Sequence, residues 1–297
     1  MSSPEAIHPK PQEQIPQSPT IEELKLDVGE ATEKNENDPE RKNEDAYFCL
    51  RRKNAFAVFD GMGGHAAGEI ASQIARDDCQ RKFEESPRAL SETEMMKMIS
   101  DASDHIYTEA KKDPDLRGMG TTASVVQIVK THEGKKKAMI ANVGDSRVYI
   151  QRASGALEQA TIDDSWMKSV LESTGRGKEA RKFQLKLSNA ASNEELSEEE
   201  QKFWKYRNWI VNALGGEVCE PKIYSVDINE GDTIIITSDG IHDILTDEKI
   251  SEIVKGSGDA QSKAMRLVQA SVEKNRQKGF RHKERGDDKT ALVIKPL

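Results

Sequence analysis

The sequence has little with which to build a zinc site. Its three cysteines, Cys49, Cys79 and Cys219, and its six histidines form no cluster at zinc-ligand spacing. The cysteines are odd in number and far apart, and Cys49 and Cys79 lie in strand-like and helix-like stretches. That predicts buried free thiols in a reducing cytoplasm. No apolar run approaches the roughly 18 residues of a membrane-spanning helix, and MSSPEAIHPK lacks the basic start and apolar core of a signal peptide. A cytoplasmic chain without membrane association is expected. Positive charge is in deficit, with a formal net charge of −8. This argues against nucleic acid as the main partner and leaves basic protein partners open. Proline is scarce except in residues 1–20, which hold five of the ten, with Gln, Ser and Glu between them. Such a segment buries too little apolar surface to offset its ordering entropy, so a disordered tail is expected. Residues 21–297 then suit one large domain, long enough for a sizeable core.

What the chain does have is organised around residues 55–72, AFAVFDGMGGHAAGEIAS. Residues 55–59 are all apolar or small and predict a short, fully buried strand. It runs into Asp60, Gly61, Met62, Gly63, Gly64 and His65, and from Ala66 the pattern turns helical, with Ile70, Ala71 and Ile74 on one face. A carboxylate therefore ends a buried strand, followed by backbone loose enough to approach a ligand closely. A plainer reading, Asp60 as the cap of the following helix, stays open. A dinucleotide fingerprint, suggested by Gly61, Gly63 and Ala66, fails on context. It requires a second strand ending in an acid about 20 residues on, where this chain has QRKFEESPRALSE.

Other acids share the setting of Asp60. Glu44 and Asp45 in RKNEDAYFCL, Asp239 in TIIITSDGIHDIL and Asp287 in GDDKTALVIK each stand at the edge of a strand-like run. If these strand ends converge, their carboxylates repel at close range. Hard divalent cations with oxygen ligands, Mg²⁺ or Mn²⁺, are the ordinary solution.

Taken in order, RKNEDA, VFDGMGGHAAGE, GMGTT, NVGDSR, SDG and GDDKT resemble the motifs of the metal-dependent serine/threonine protein phosphatases of type 2C, and DGMGGH is similar to their bacterial form. The resemblance covers roughly residues 37–296. It implies hydrolysis of phosphoserine and phosphothreonine in protein substrates by two Mn²⁺ or Mg²⁺ ions. Asp60 would bridge both, with Glu44 and the Gly61 carbonyl on one and Asp239 and Asp287 on the other. Ions about 3.5–4 Å apart would make a bridging water acidic enough to attack phosphorus. Asp145 is either a plain turn residue or, by the resemblance, a ligand of a third, weaker ion. Arg41 stands three residues before Glu44, where relatives place a phosphate-binding Arg four before. It is either that residue or a surface Arg. Asp288 replaces the Asn usual in relatives, to orient Asp287 or to add negative charge. Asp45, next to Glu44 on a strand, is expected to point to the opposite face as a support. Animal relatives carry His directly after Asp-Gly as a proton donor. Here that position is Met62, whose thioether donates none, and His65 either bends back as the acid or buttresses the glycine turn. A monomer is expected. The alternative class is a catalytically silent relative that only binds phosphoproteins.

The remaining pattern predicts strands at 20–29, 41–50, from 118 through 129, at the hairpin-like pair AMIANVG and SRVYIQR with Asp145 at its bend, and at KIYSVDI, DTIIITS and TALVIK. Helices are expected at 66–85, 91–112, 247–254 and 259–277, the second with a capping box from Ser91 and Glu94. Strands and helices each come in adjacent pairs, the pattern of an α+β sandwich. The resemblance implies four α-β-β-α layers, two antiparallel sheets flanked by helix pairs. By the resemblance, residues 163–216 form a flap beside the site, with Asp164 where relatives often carry His. Its acidic helix at 192–200 reads as a solvated face or a substrate selector, and its WIVNALGG as core.

Overall fold

Residues 55–59 lack any polar alternation because the strand they form is covered on both faces. Phe56 and Val58 point into one apolar cluster, while Ala55, Ala57 and Phe59 point into another. The computed structural model describes residues 22–38, 40–63, 67–131, 133–277, 279–281 and 286–297. The tail at 1–20 and His65 lie outside them.

The chain opens with three strands, β1 (Leu26–Glu33), β2 (Asp45–Leu50) and β3 (Ala55–Met62), followed by helices α1 (Ala67–Glu85) and α2 (Glu92–Lys112). Next come β4 (Gly120–Thr121), β5 (Ala123–Lys130), β6 (Lys136–Val143), β7 (Arg147–Gln151) and β8 (Leu157–Gln159). Helices α3 (Trp166–Ser173), α4 (Ala180–Asn189) and α5 (Glu198–Lys205) lead to β9 (Lys222–Ile228) and β10 (Thr233–Thr237). The chain closes with α6 (Asp239–His242), α7 (Asp247–Lys255), α8 (Ala260–Arg276) and β11 (Lys289–Pro296).

One antiparallel sheet runs β1-β11-β10-β7-β8 and the other β2-β3-β5-β6-β9, with β4 paired to β3. Between them lie Phe56, Val58, Val126, Ile140, Val148, Ile234, Ile236 and Leu292. The alternate residues face outward. Ala57, Phe59 and Val125 meet α1 and α2 through Ala71, Phe83, Met95 and Ile99. Tyr149, Ile235 and Val293 meet α7 and α8 through Ile250, Val254, Ala264 and Leu267. Period-two strands buried on both sides give the expected four layers. Helices α3, α4 and α5 gather a small core of their own around Met167, Leu171, Leu187, Phe203 and Trp204.

Several expectations are corrected. The first strand begins at Leu26, six residues late, and tolerates charges such as Glu30 because it is an edge strand, paired to β11. The stretch after 118 breaks at Thr122 into β4 and β5, since Thr122 turns its amide and hydroxyl onto the Asp60 backbone. AMIANVG and SRVYIQR are no hairpin: β6 and β7 belong to different sheets. Gly144, at φ +90°, carries the chain across; a Cβ there would stand 2.7 Å from a Thr122 methyl. No single helix covers 192–200. A short 3₁₀ turn, Asn193–Glu195, precedes α5, which Ser197 caps with Glu200. Of WIVNALGG only Leu214 is fully buried among the large apolar residues, whereas Trp209 is 58% and Val211 55% exposed. The cysteines are free thiols as expected, but only Cys79 is buried, Cys49 and Cys219 being half-buried, and among the described residues no helix is long and apolar enough to cross a membrane.

Candidate active site

The strand ends converge. A cleft of about 560 Å³ is lined by Arg41, Glu44, Asp60, Gly61, Asp145, Asp239 and Asp287 together with the apolar Met62, Trp166, Trp209, Ile210 and Val211. Glu44 immediately precedes β2, and Asp60 and Gly61 lie within β3, in one sheet. Asp239 opens α6 after β10, and Asp287 precedes β11, in the other. Asp145 sits on the crossing between the sheets, so it is both a turn residue and a cleft residue.

Backbone bonds fix Asp60. Its amide donates to the Thr122 hydroxyl at 2.9 Å, and its carbonyl accepts the Thr122 amide at 2.9 Å and the Thr121 hydroxyl at 3.0 Å. The Gly61 amide donates to the Glu44 carbonyl at 3.1 Å. A Cβ on Gly61 would lie 2.2 Å from the Gly68 carbonyl oxygen, and one on Gly68 would lie 2.7 Å from Glu44 Oε2. Only glycine at both positions lets the first turn of α1 pack onto β3 beside Glu44.

Asp288 touches Asp287 through its main chain, its amide donating to Asp287 Oδ1 at 3.0 Å, while its side chain reaches elsewhere. Its two carboxylate oxygens accept the backbone amides of Asn35 and Glu44, each at 2.7 Å, so it holds Glu44 by its main chain. Asp45, read as a support, is not among the residues lining the cleft and lies directly across from Asp60 in the β2–β3 register. It is half-buried, accepts the Ser238 hydroxyl at 2.7 Å, and is pushed up to about 7 by desolvation of its carboxyl and then by the charge of Asp288. Burial, and then the charges of Asp45, Asp239, Asp287 and Asp145, hold the Asp60 carboxyl well above the usual range. Arg41 reaches the site and pairs with Glu44, although burial still raises the Glu44 carboxyl.

The donor set fits a hard divalent cation. It is all oxygen, its charges repel, and among the described residues buried Glu44 Oε1 has no hydrogen-bond donor. As the side chains stand, with the Arg41 guanidinium on Glu44 Oε2, no three of the described His, Cys, Asp or Glu groups close around one ion.

Three further residues of the site stand inside the sequence motifs with no role assigned to them there. Ser146 bonds Thr122 through their hydroxyls at 2.7 Å, and Ser238 links Asp45 to the Thr290 amide at 2.9 Å. Their signal lies in the motifs themselves, GMGTT for Thr122, NVGDSR for Ser146 and SDG for Ser238. Asp164, the departure from His, is a buried hub. It takes the Lys168 ammonium at 2.9 Å, that of Lys222, the Asn212 amide at 2.8 Å and the Gly144 amide at 3.3 Å. The acidic residues of 192–200 are absent from the cleft lining. Glu195 and Glu200 bond the Ala191 and Ser197 amides, and Glu199 pairs with Arg176.

Comparison with known proteins gives the same outline. The family model described as Protein phosphatase 2C matches residues 31–165 and 206–283, leaving out the stretch of α3 to α5. Serine/threonine protein phosphatase PstP of Mycobacterium tuberculosis is 30% identical over 230 residues, 77% of this chain but 39% of that protein. The chain thus spans about two fifths of that relative. Serine/threonine phosphatase stp of Listeria monocytogenes is 31% identical over 212 residues, 70% of this chain and 74% of the relative. A solved structure of the PstP catalytic domain in complex with two manganese ions is 25% identical and covers 92% of this chain and 98% of its own, with a TM-score of 0.69. Stp1 from Staphylococcus aureus shares the fold at 24% identity, covering 96% and 99%, with a TM-score of 0.72.

Proposed function

The chain belongs to the protein phosphatase 2C family, and from that membership we propose that it hydrolyses phosphoserine and phosphothreonine in proteins with two Mn²⁺ or Mg²⁺ ions. The observation that carries the proposal is the meeting of Glu44, Asp60, Asp145, Asp239 and Asp287, from both sheets, in one cleft. Asp60, Glu44 and the Gly61 carbonyl would hold one ion, and Asp60, Asp239 and Asp287 the other, with Asp145 toward a third. Bound there, such ions supply Lewis acidity that makes water nucleophilic near neutral pH and offsets phosphate charge.

The residues do the rest. The Thr121 and Thr122 bonds keep Asp60 from following its neighbours' repulsion, and Asp288 keeps Glu44 at the cleft. Arg41, 41% exposed at its side chain, has the reach to meet a phosphate oxygen as well as Glu44. Met62 lines the cleft and offers the departing alkoxide no proton.

Turnover of p-nitrophenyl phosphate in Mn²⁺ tests the reading. Asp239→Asn, which removes one anionic ligand, should lower it by about a hundredfold or more. A wild-type chain that binds phosphopeptide yet hydrolyses neither it nor p-nitrophenyl phosphate would be the silent relative instead.

A further inference from the structure

Trp209 and Val211 were expected in the core, yet each is more than half exposed and both line the cleft. Exposure here is not looseness. The Trp209 ring lies 4.6 Å from that of Tyr206 and 6.4 Å from that of Trp166. Its amide donates to the Tyr206 carbonyl at 3.0 Å, and its carbonyl accepts the Trp166 amide at 2.8 Å. Ile210 bridges to Ser165, and the Val211 amide donates to the Asp164 carbonyl at 2.8 Å. The Asp164 carboxylate is itself pinned by Lys168, Lys222 and Asn212. The segment therefore presents a fixed apolar edge, continuous with the carboxylate site, and a partner that covers it gains apolar burial with little ordering entropy lost.

We propose that this edge is a subsite for a large apolar side chain next to the phosphorylated residue of the substrate, a proposal that rests on the phosphatase reading of the cleft. The chemistry of the edge selects the occupant. Trp166, Trp209, Ile210 and Val211 offer apolar surface to the cleft. The Trp166 and Tyr206 rings already carry Lys202 and Lys205, at 5.6 and 5.2 Å. A substrate cation would compete with those ammonium groups for the rings, whereas an apolar side chain extends the apolar contact.

The test uses phosphoserine peptides that differ only in the residues flanking the phosphoserine: Leu, Gly or Lys. In Mn²⁺, wild type should favour the Leu peptide over the Gly peptide by about tenfold in kcat/KM, mostly through KM. That ratio, taken within each enzyme, should fall to about twofold or less in Trp209→Ala and in Val211→Ser, and persist in Trp209→Phe. Equal rates on Leu and Gly peptides in wild type would overturn the proposal, as would a ratio unchanged by both truncations. A Lys preference lost in Trp209→Ala would give the ring to cations and overturn it too. Hydrolysis of p-nitrophenyl phosphate with a flat flank profile rejects the subsite alone. No hydrolysis at all rejects the phosphatase reading and the subsite with it.

Discussion

Asp288 shows how one side chain can fix the place of another. Its carboxylate accepts the Glu44 and Asn35 amides, and those partners lie 244 and 253 positions away in sequence. Reading GDDKT alone ties Asp288 only to its neighbour Asp287, because nothing local announces a bond to the other end of the chain. Truncation to Ala leaves two buried N–H groups without acceptors, each costing roughly 1–3 kcal/mol, and lets Glu44 drift from the cleft. Groups that orient a ligand typically change metal affinity by about 10–100-fold. We therefore expect Asp288→Ala to raise the half-saturating Mn²⁺ concentration by about that factor, with a much smaller fall in kcat at saturating metal. Mn²⁺ titrations of p-nitrophenyl phosphate turnover measure it, and an unchanged half-saturation would remove Asp288 from this role.

Helix ends are encoded locally, and α2 is the clearest case. Ser91 and Glu94 form the expected capping box, and Arg88 adds two bonds to the Glu94 carboxylate, at 2.8 and 2.9 Å. Those bonds, led by Arg88, hold the Glu94 carboxyl down at about 2. A folded-state value below the unfolded one, about 4.3, means its stabilisation is complete above that pH and is lost as pH falls through about 2. Glu94→Gln should thus cost about 1 kcal/mol near pH 7, and its melting deficit should shrink toward about pH 2. A deficit that stays constant across that range would show that the charge contributes nothing. Sheet membership is another matter. The strand pattern of β6 and β7 is as legible as the α2 cap, but a tight Gly-Asp bend between strands looks the same whether the chain folds back or crosses over. Only the distant partners β9 and β10 decide it. Apolar WIVNALGG misleads for a related reason, since periodicity cannot distinguish a core from a cleft lip.

At the scale of the whole molecule, the adjacent pairs of strands and of helices made a sandwich legible, the family resemblance supplied its four layers, and the acids at strand edges made the cleft legible. What joins them is electrostatic. The sheets pack through Phe56, Val58, Ile140, Ile234 and Leu292, while at one end each sheet presents carboxylates to the other: Glu44 and Asp60 against Asp239 and Asp287. Without cations this end is under mutual repulsion, which is why burial and its neighbours' charges raise the Asp60 carboxyl. Ions bound between the sheets would convert that repulsion into a cross-link present only in the folded state. An ion at about 100 times its Kd adds roughly 2.7 kcal/mol, which for a domain of this size raises Tm by roughly 5–10 °C. Asp60→Asn separates the two effects. It should raise the Tm in EDTA, because a neutral isostere relieves the repulsion, and abolish most of the rise on adding Mn²⁺. Thermal melts of both proteins in EDTA and in saturating Mn²⁺ check this. A wild-type Tm indifferent to both conditions would mean that the carboxylates of the two sheets do not share a metal centre.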